Sequence, residues 1–122
     1  MDKNTLLTNL AYFTGSIECH KWSGMYPRFF LTDGAQFLAE NAGAYWLMDL
    51  IGSYQPGLIR QGHYSQAWTL KVYGSKGFIS CLSDGRTVVT QEIPYTDFPL
   101  DEITLYAAWD GDRLIICLPS ED

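Results

Sequence analysis

The sequence predicts an α+β fold: an antiparallel meander sheet of about five strands in the C-terminal half, with two to three N-terminal helices packed on one face. Three observations predict it. Up to about Tyr54, apolar residues recur at helical spacing. From about Gln66 the period changes to two, as in half-buried strands. Short glycine-containing turns separate the alternating runs, and only antiparallel neighbours can be joined so briefly. Helices that precede such a sheet cover one of its faces.

Residues 3–12 read as the first helix, with Asp2 as its cap and Leu6, Leu7 and Leu10 as its apolar stripe. Residues 17–31 are punctuated by Gly24 and Pro27; within them Phe29, Phe30 and Leu31 suggest a short strand, with Trp22 packed nearby. Thr32 or Asp33 supplies the capping oxygen of a second helix that ends near residues 41–43. A third helix spans residues 44–54, where Leu47, Leu50, Ile51 and Tyr54 make one apolar face, and Pro56-Gly57 stops it. The strands fall at residues 66–73, 78–82, 87–93, 103–109 and 114–118. Ser83-Asp84-Gly85 and Asp110-Gly111 mark hairpin turns, and Pro94 and Pro99 bracket a loop because neither can donate to a ladder. With Trp68, Leu70 and Val72 toward the helices, the other face is expected to carry Tyr73, Ile79, Cys81, Val89, Ile93, Tyr106, Ile115 and Cys117. That face is too apolar to be bare: either residues 17–31 cover it, or it is an oligomer interface.

The chain has 122 residues, enough for a single domain with one core, and no linker or repeat divides it. Net charge is −6, and the eight basic residues are scattered singly, so direct binding to nucleic acid is not expected. The acidic balance reads as a solubility feature. The start of the sequence is polar and no run approaches the ~20 apolar residues of a membrane span, so a cytoplasmic protein is expected. Three widely spaced cysteines, Cys19, Cys81 and Cys117, fit a reducing compartment better than a disulfide scaffold.

Chemistry-bearing patterns are sparse. Cys19 and His20 are adjacent, but neighbours on an extended chain point to opposite sides, so they do not form a nucleophile–base pair. Thiols and imidazoles at Cys19, His20, His63, Cys81 and Cys117 show no metal-ligand spacing; Cys81 and Cys117 as sheet neighbours would supply at most two ligands, so no metal site and no cofactor are expected. Asp33 and Asp49, and Asp97, Asp101 and Glu102, are possible acid–base carboxylates, but the structural reading is favoured, with Asp33 as an N-cap and Asp101 or Glu102 as strand-end charges. Phosphate-binding loops and nucleophile elbows are absent, and no catalytic residue is assigned. Tyr45, Trp46, Asp49, Tyr95 and Asp97 are the candidate ligand- or partner-binding residues. Tyr45 and Trp46 occupy adjacent helical positions, so both rings cannot enter one narrow stripe; core packing is the favoured reading, and a ring bordering a groove or partner surface is the alternative.

Two groups of blocks are distinctive. One is Phe13-Thr14-Gly15 with the stretch from Leu31-Thr32-Asp33-Gly34 through Ala42-Gly43-Ala44-Tyr45-Trp46-Leu47 to Asp49. The other is Tyr95-Thr96-Asp97-Phe98-Pro99-Leu100-Asp101-Glu102-Ile103 with the closing Leu118-Pro119-Ser120-Glu121. Together they resemble an uncharacterised family of small stand-alone bacterial proteins, a DUF6876-like domain of unknown function. Residues 17–26 depart from the family pattern. The resemblance implies a self-contained cytoplasmic protein and carries no activity. The expected function is a non-catalytic protein-interaction domain, homo-oligomeric. The alternatives are a ligand-binding domain or hydrolase-like enzyme with a helix–sheet pocket, and an acidic inhibitor or nucleic-acid mimic from a mobile element.

Overall fold

The computed structural model describes residues 1–15 and 18–122. Helix α1 is Lys3–Leu10, strand β1 Cys19–His20, β2 Phe29–Thr32, α2 Asp33–Asn41 and α3 Tyr45–Arg60. Strands β3 (Ser65–Tyr73), β4 (Lys76–Ser83), β5 (Arg86–Ile93), β6 (Glu102–Trp109) and β7 (Leu114–Cys117) follow, and a 3₁₀ turn spans Pro119–Glu121. The fold is α+β, as expected, with helices on one face of one sheet.

The sheet is larger than expected and is mixed. Seven strands lie in the order β1-β2-β7-β6-β3-β4-β5. Strands β3 to β7 are the five read from the sequence. The additions are β1 and β2, with β2 parallel to β7 through Phe29↔Leu114 and Leu31↔Ile116. A parallel pair joins segments distant in sequence, so no local turn announces it, and two residues of β1 are too few to show a period. Phe29–Thr32 does form the short strand expected of it.

Helix α3 runs through Pro56 instead of stopping there. Proline removes one backbone bond and crowds the carbonyl four residues earlier, but burial of Gln55 and Leu58 on either side holds the last turns against the sheet. The helix ends where Gly62 takes φ +85, a conformation that favours glycine. In α1 only Leu6 and Leu10 are buried, the i, i+4 pair, while Leu7 is exposed. Asp2 caps α1 as expected, its Oδ1 accepting from the Thr5 N–H at 2.7 Å.

Register corrects the expected faces. Leu70 lies opposite Ile79 and Trp68 opposite Cys81, so Ile79 and Cys81 share the helix-covered face with Trp68 and Leu70. Val89, opposite Cys81, joins them. Ile93, opposite Gly77, does so too, so strands β4 and β5 are both one position out of phase with the expectation, because a period of two fixes alternation but not which parity faces the core. Tyr73, Tyr106, Ile115 and Cys117 do lie on the opposite face, accompanied by Phe78 and Leu82. Cys81 and Cys117 are not neighbours: β3 and β6 lie between their strands, and the two thiols face opposite sides.

The core between the layers contains Leu31, Leu38, Leu47, Met48 and Ile51 together with Trp68, Leu70, Leu105 and Ile116. A polar junction adjoins it. Gln55 and Gln66, both buried, exchange amide hydrogen bonds at 2.8 and 2.9 Å. The indole N–H of Trp68 donates to Gln66 and that of Trp109 to Gln55. The remaining amide hydrogens go to the carbonyls of Ile51 and His63. Each amide thus uses both donors and both acceptor sites, which fixes α3 on β3 and β6 at a unique position.

Candidate functional site

Two regions stand out: the junction where α2 begins, and the sheet face without helices. The first grows from the Thr32-Asp33-Gly34 block. Thr32 caps α2, its hydroxyl oxygen accepting the Ala35 N–H. That hydroxyl donates to Glu121 Oε1 at 2.7 Å, and the other carboxylate oxygen accepts the Gly34 N–H at 2.9 Å. The Leu118 N–H also donates to Glu121, at 3.0 Å. A carboxylate at a helix N-terminus meets unsatisfied N–H groups and the positive end of the helix dipole. A Cβ on Gly34 would lie 2.5 Å from Glu121 Oε1 and 2.7 Å from Leu118 Cδ1, so the close approach requires glycine. The Thr-Asp-Gly block and the Leu-Pro-Ser-Glu block are thus two halves of one latch. Ser120 extends it by donating to the Phe13 carbonyl at 2.6 Å.

Asp33 turns the other way. Its Oδ1 lies 2.7 Å from His20 Nε2, and both side chains are partly exposed. Glu18 completes a group whose ligand atoms all lie within 4.8 Å of one another. Cys19 and His20 diverge as expected, because Cys19 pairs with Thr32 in register and His20 with Leu31. Glu18 and His20 form a Glu-x-His spacing, whose two side chains share one side of an extended chain; thiols and imidazoles alone do not reveal it.

The helix-free face is polar along its middle. Thr69 and Thr104 approach hydroxyl to hydroxyl at 3.1 Å, and Ser80 lies opposite Thr69. Apolar groups flank this band. At one end Tyr73 and Phe78 meet at 5.8 Å between ring centroids. At the other, Leu82, Ala67, Tyr106 and Cys117 form one row across four strands. A groove of about 430 Å³ runs along this row and is bordered by Asp122. Tyr73, Phe78 and Leu82 are 65%, 42% and 43% exposed. The segment at 18–31 does not cover this face: β2 is part of the sheet, and Trp22 and Tyr26 pack on Phe29 toward α3, with the Trp22 indole donating to Asp49 at 2.8 Å. Ile17 lies outside the described residues.

The five residues expected to bind a ligand or partner occupy two places. Tyr45, Trp46 and Asp49 open α3, and Tyr95 and Asp97 lie in the loop between β5 and β6. Tyr45 reaches Glu40, and burial followed by the Glu40 charge raises its pKa. Tyr95 and Asp97 are exposed. Among the described residues no hydrogen bond joins these two places. The Thr96–Pro99 turn has a structural role: the Thr96 hydroxyl accepts the Phe98 N–H, and Phe98 and Leu100 enter the core. The candidate carboxylates are dispersed, Asp33 on His20, Asp49 on Trp22 and Asp101 on Lys3. Burial pushes the Cys81 thiol up to about 12. Burial, then the nearby Asp122 and Glu121 charges, pushes Cys117 up to about 11. Neither is an activated nucleophile. Among the described residues, no helix is long and apolar enough to cross a membrane.

No curated protein and no solved structure matches the chain. The model of DUF6876, a family of unknown function, matches residues 4–122, and with nearly its whole length matched the chain belongs to that family.

Proposed function

We propose that this chain is a non-catalytic interaction domain that self-associates through the helix-free face of its sheet. The observation that carries this reading is the exposure of Tyr73, Phe78 and Leu82 on a face that the chain's own helices leave open. Exposed aromatic and aliphatic anchors are what an interface core needs, and Leu82 also borders the groove along its row. Charges of both signs border the aromatic end: Lys71 lies opposite Glu102, and Lys76 lies 3.5 Å from Glu92. Mixed charges suit a two-fold contact, in which each patch meets its own copy. Unpaired Cys19, Cys81 and Cys117 suit a reducing compartment such as the cytoplasm.

Size-exclusion chromatography with light scattering tests the reading. Wild type is expected at twice the chain mass of 13.8 kDa. Phe78→Lys combined with Leu82→Lys is expected to give the single-chain mass with an unchanged circular dichroism spectrum. A wild-type protein that stays at the single-chain mass at its highest attainable concentration refutes self-association.

A further inference from the structure

We propose that Glu18, His20 and Asp33 form a binding site for one divalent transition-metal cation of the zinc type. The topology assembles the three ligands. Strand β1 pairs antiparallel with β2 through Cys19↔Thr32 and His20↔Leu31, so the next step along the chain sets Glu18 against Asp33. Glu18 and His20, two positions apart on extended chain, share a side. Asp33 meets that side from the first position of α2. The three ligand atoms lie within 4.8 Å of one another, and His20 Nε2 is 2.7 Å from Asp33 Oδ1. Metal–ligand distances of about 2.0–2.2 Å for nitrogen and oxygen donors can be met from there by small side-chain rotations. The cation takes the place of the direct contact between imidazole and carboxylate.

The donor set selects the class of ion. Two carboxylates with a neutral imidazole balance a divalent charge. The imidazole favours first-row ions such as Zn²⁺ over Mg²⁺ or Ca²⁺, which take oxygen ligands. Three protein ligands leave a coordination position for water. The positive end of α2 would repel a cation, but the Glu121 carboxylate accepts the Gly34 N–H there and offsets that charge. The Cys19 side chain lies on the other face of β1, so the site is built without thiolate.

Zn²⁺ titration by calorimetry, Co²⁺ absorption spectra and thermal unfolding, all on the full chain, test the site. Wild type is expected to bind one Zn²⁺ and to unfold at a higher temperature in its presence. Glu18→Gln and Asp33→Asn, which keep size and hydrogen-bonding capacity, are each expected to weaken binding about tenfold or more. The double variant Cys19→Ser with Cys117→Ser is expected to bind as wild type does, and Co²⁺ should show no thiolate charge-transfer band. Wild type that binds no Zn²⁺ refutes the site. So does unchanged affinity in both carboxylate variants, or binding that is lost with the cysteines and carries a thiolate band.

Discussion

Gly34 shows how much one missing methyl group can hold. Its hydrogen leaves room for Glu121 and Leu118 at distances no Cβ tolerates. Gly34→Ala is expected to expel the latch and destabilise the fold by ~1–3 kcal/mol, the usual cost of forced overpacking, measured as a lowered urea midpoint. The same substitution at Gly57, in α3 with nothing within 4 Å, is expected to raise stability by ~0.5–1 kcal/mol. Gly52 should not share that gain, because a Cβ there meets the Phe29 ring at 3.2 Å. Cys81 makes a different prediction. Its pKa rises from 9.0 to about 12 on burial, so the native state keeps a proton that the unfolded chain releases. The resulting stabilisation is full below pH 9 and is lost as pH rises toward 12. Unfolding midpoints followed upward from pH 9 should fall more steeply for wild type than for Cys81→Val; parallel curves would count against the buried thiol. At this scale the sequence was readable where one residue acts locally, as with the Asp2 and Thr32 caps. It was silent on Gly34, whose neighbour stands 87 positions away.

At the scale of elements, the polar junction between α3 and the sheet decides how the layers dock. Nothing nearby in the chain marks Gln55 and Gln66 as partners. Gln66→Leu is expected to cost ~1–3 kcal/mol or more, because it strands the Gln55 amide and the Trp68 N–H in the core. Thermal melts check this, and Gln55→Leu with Gln66→Leu should cost less than the sum of the two single changes. Strands β3 to β7 were legible because short turns and a period of two are local signals. Asp84 and Gly85, at φ 53 and 75, make the tight turn that their dipeptide announces. The parity of β4 and β5, the parallel β2–β7 pair and the passage of α3 through Pro56 were not legible. Each is settled by contacts distant in sequence, where packing overrides local propensity.

For the whole molecule, the layers leave one sheet face open, and that openness carries the functional proposal. An apolar open face was foreseeable from strand alternation, whereas the residues that provide it depended on register. Phe78 and Leu82 look outward only because Leu70 pairs with Ile79. Tyr45, Trp46, Asp49, Tyr95 and Asp97 stand out by aromatic and acidic character, which does not specify how the helices sit on the sheet. Association must also overcome the repulsion of two chains that each carry −6. Salt screens that repulsion, with a Debye length of about 10 Å at 0.1 M, while contact between apolar groups is not weakened by it. Sedimentation equilibrium of wild type and Phe78→Lys over a salt series therefore tests the open face most directly. A dimer that strengthens as salt rises, and that is lost in the variant, is the expected result. A wild-type chain that sediments as a monomer at every salt concentration, or a dimer indifferent to Phe78→Lys, would contradict it.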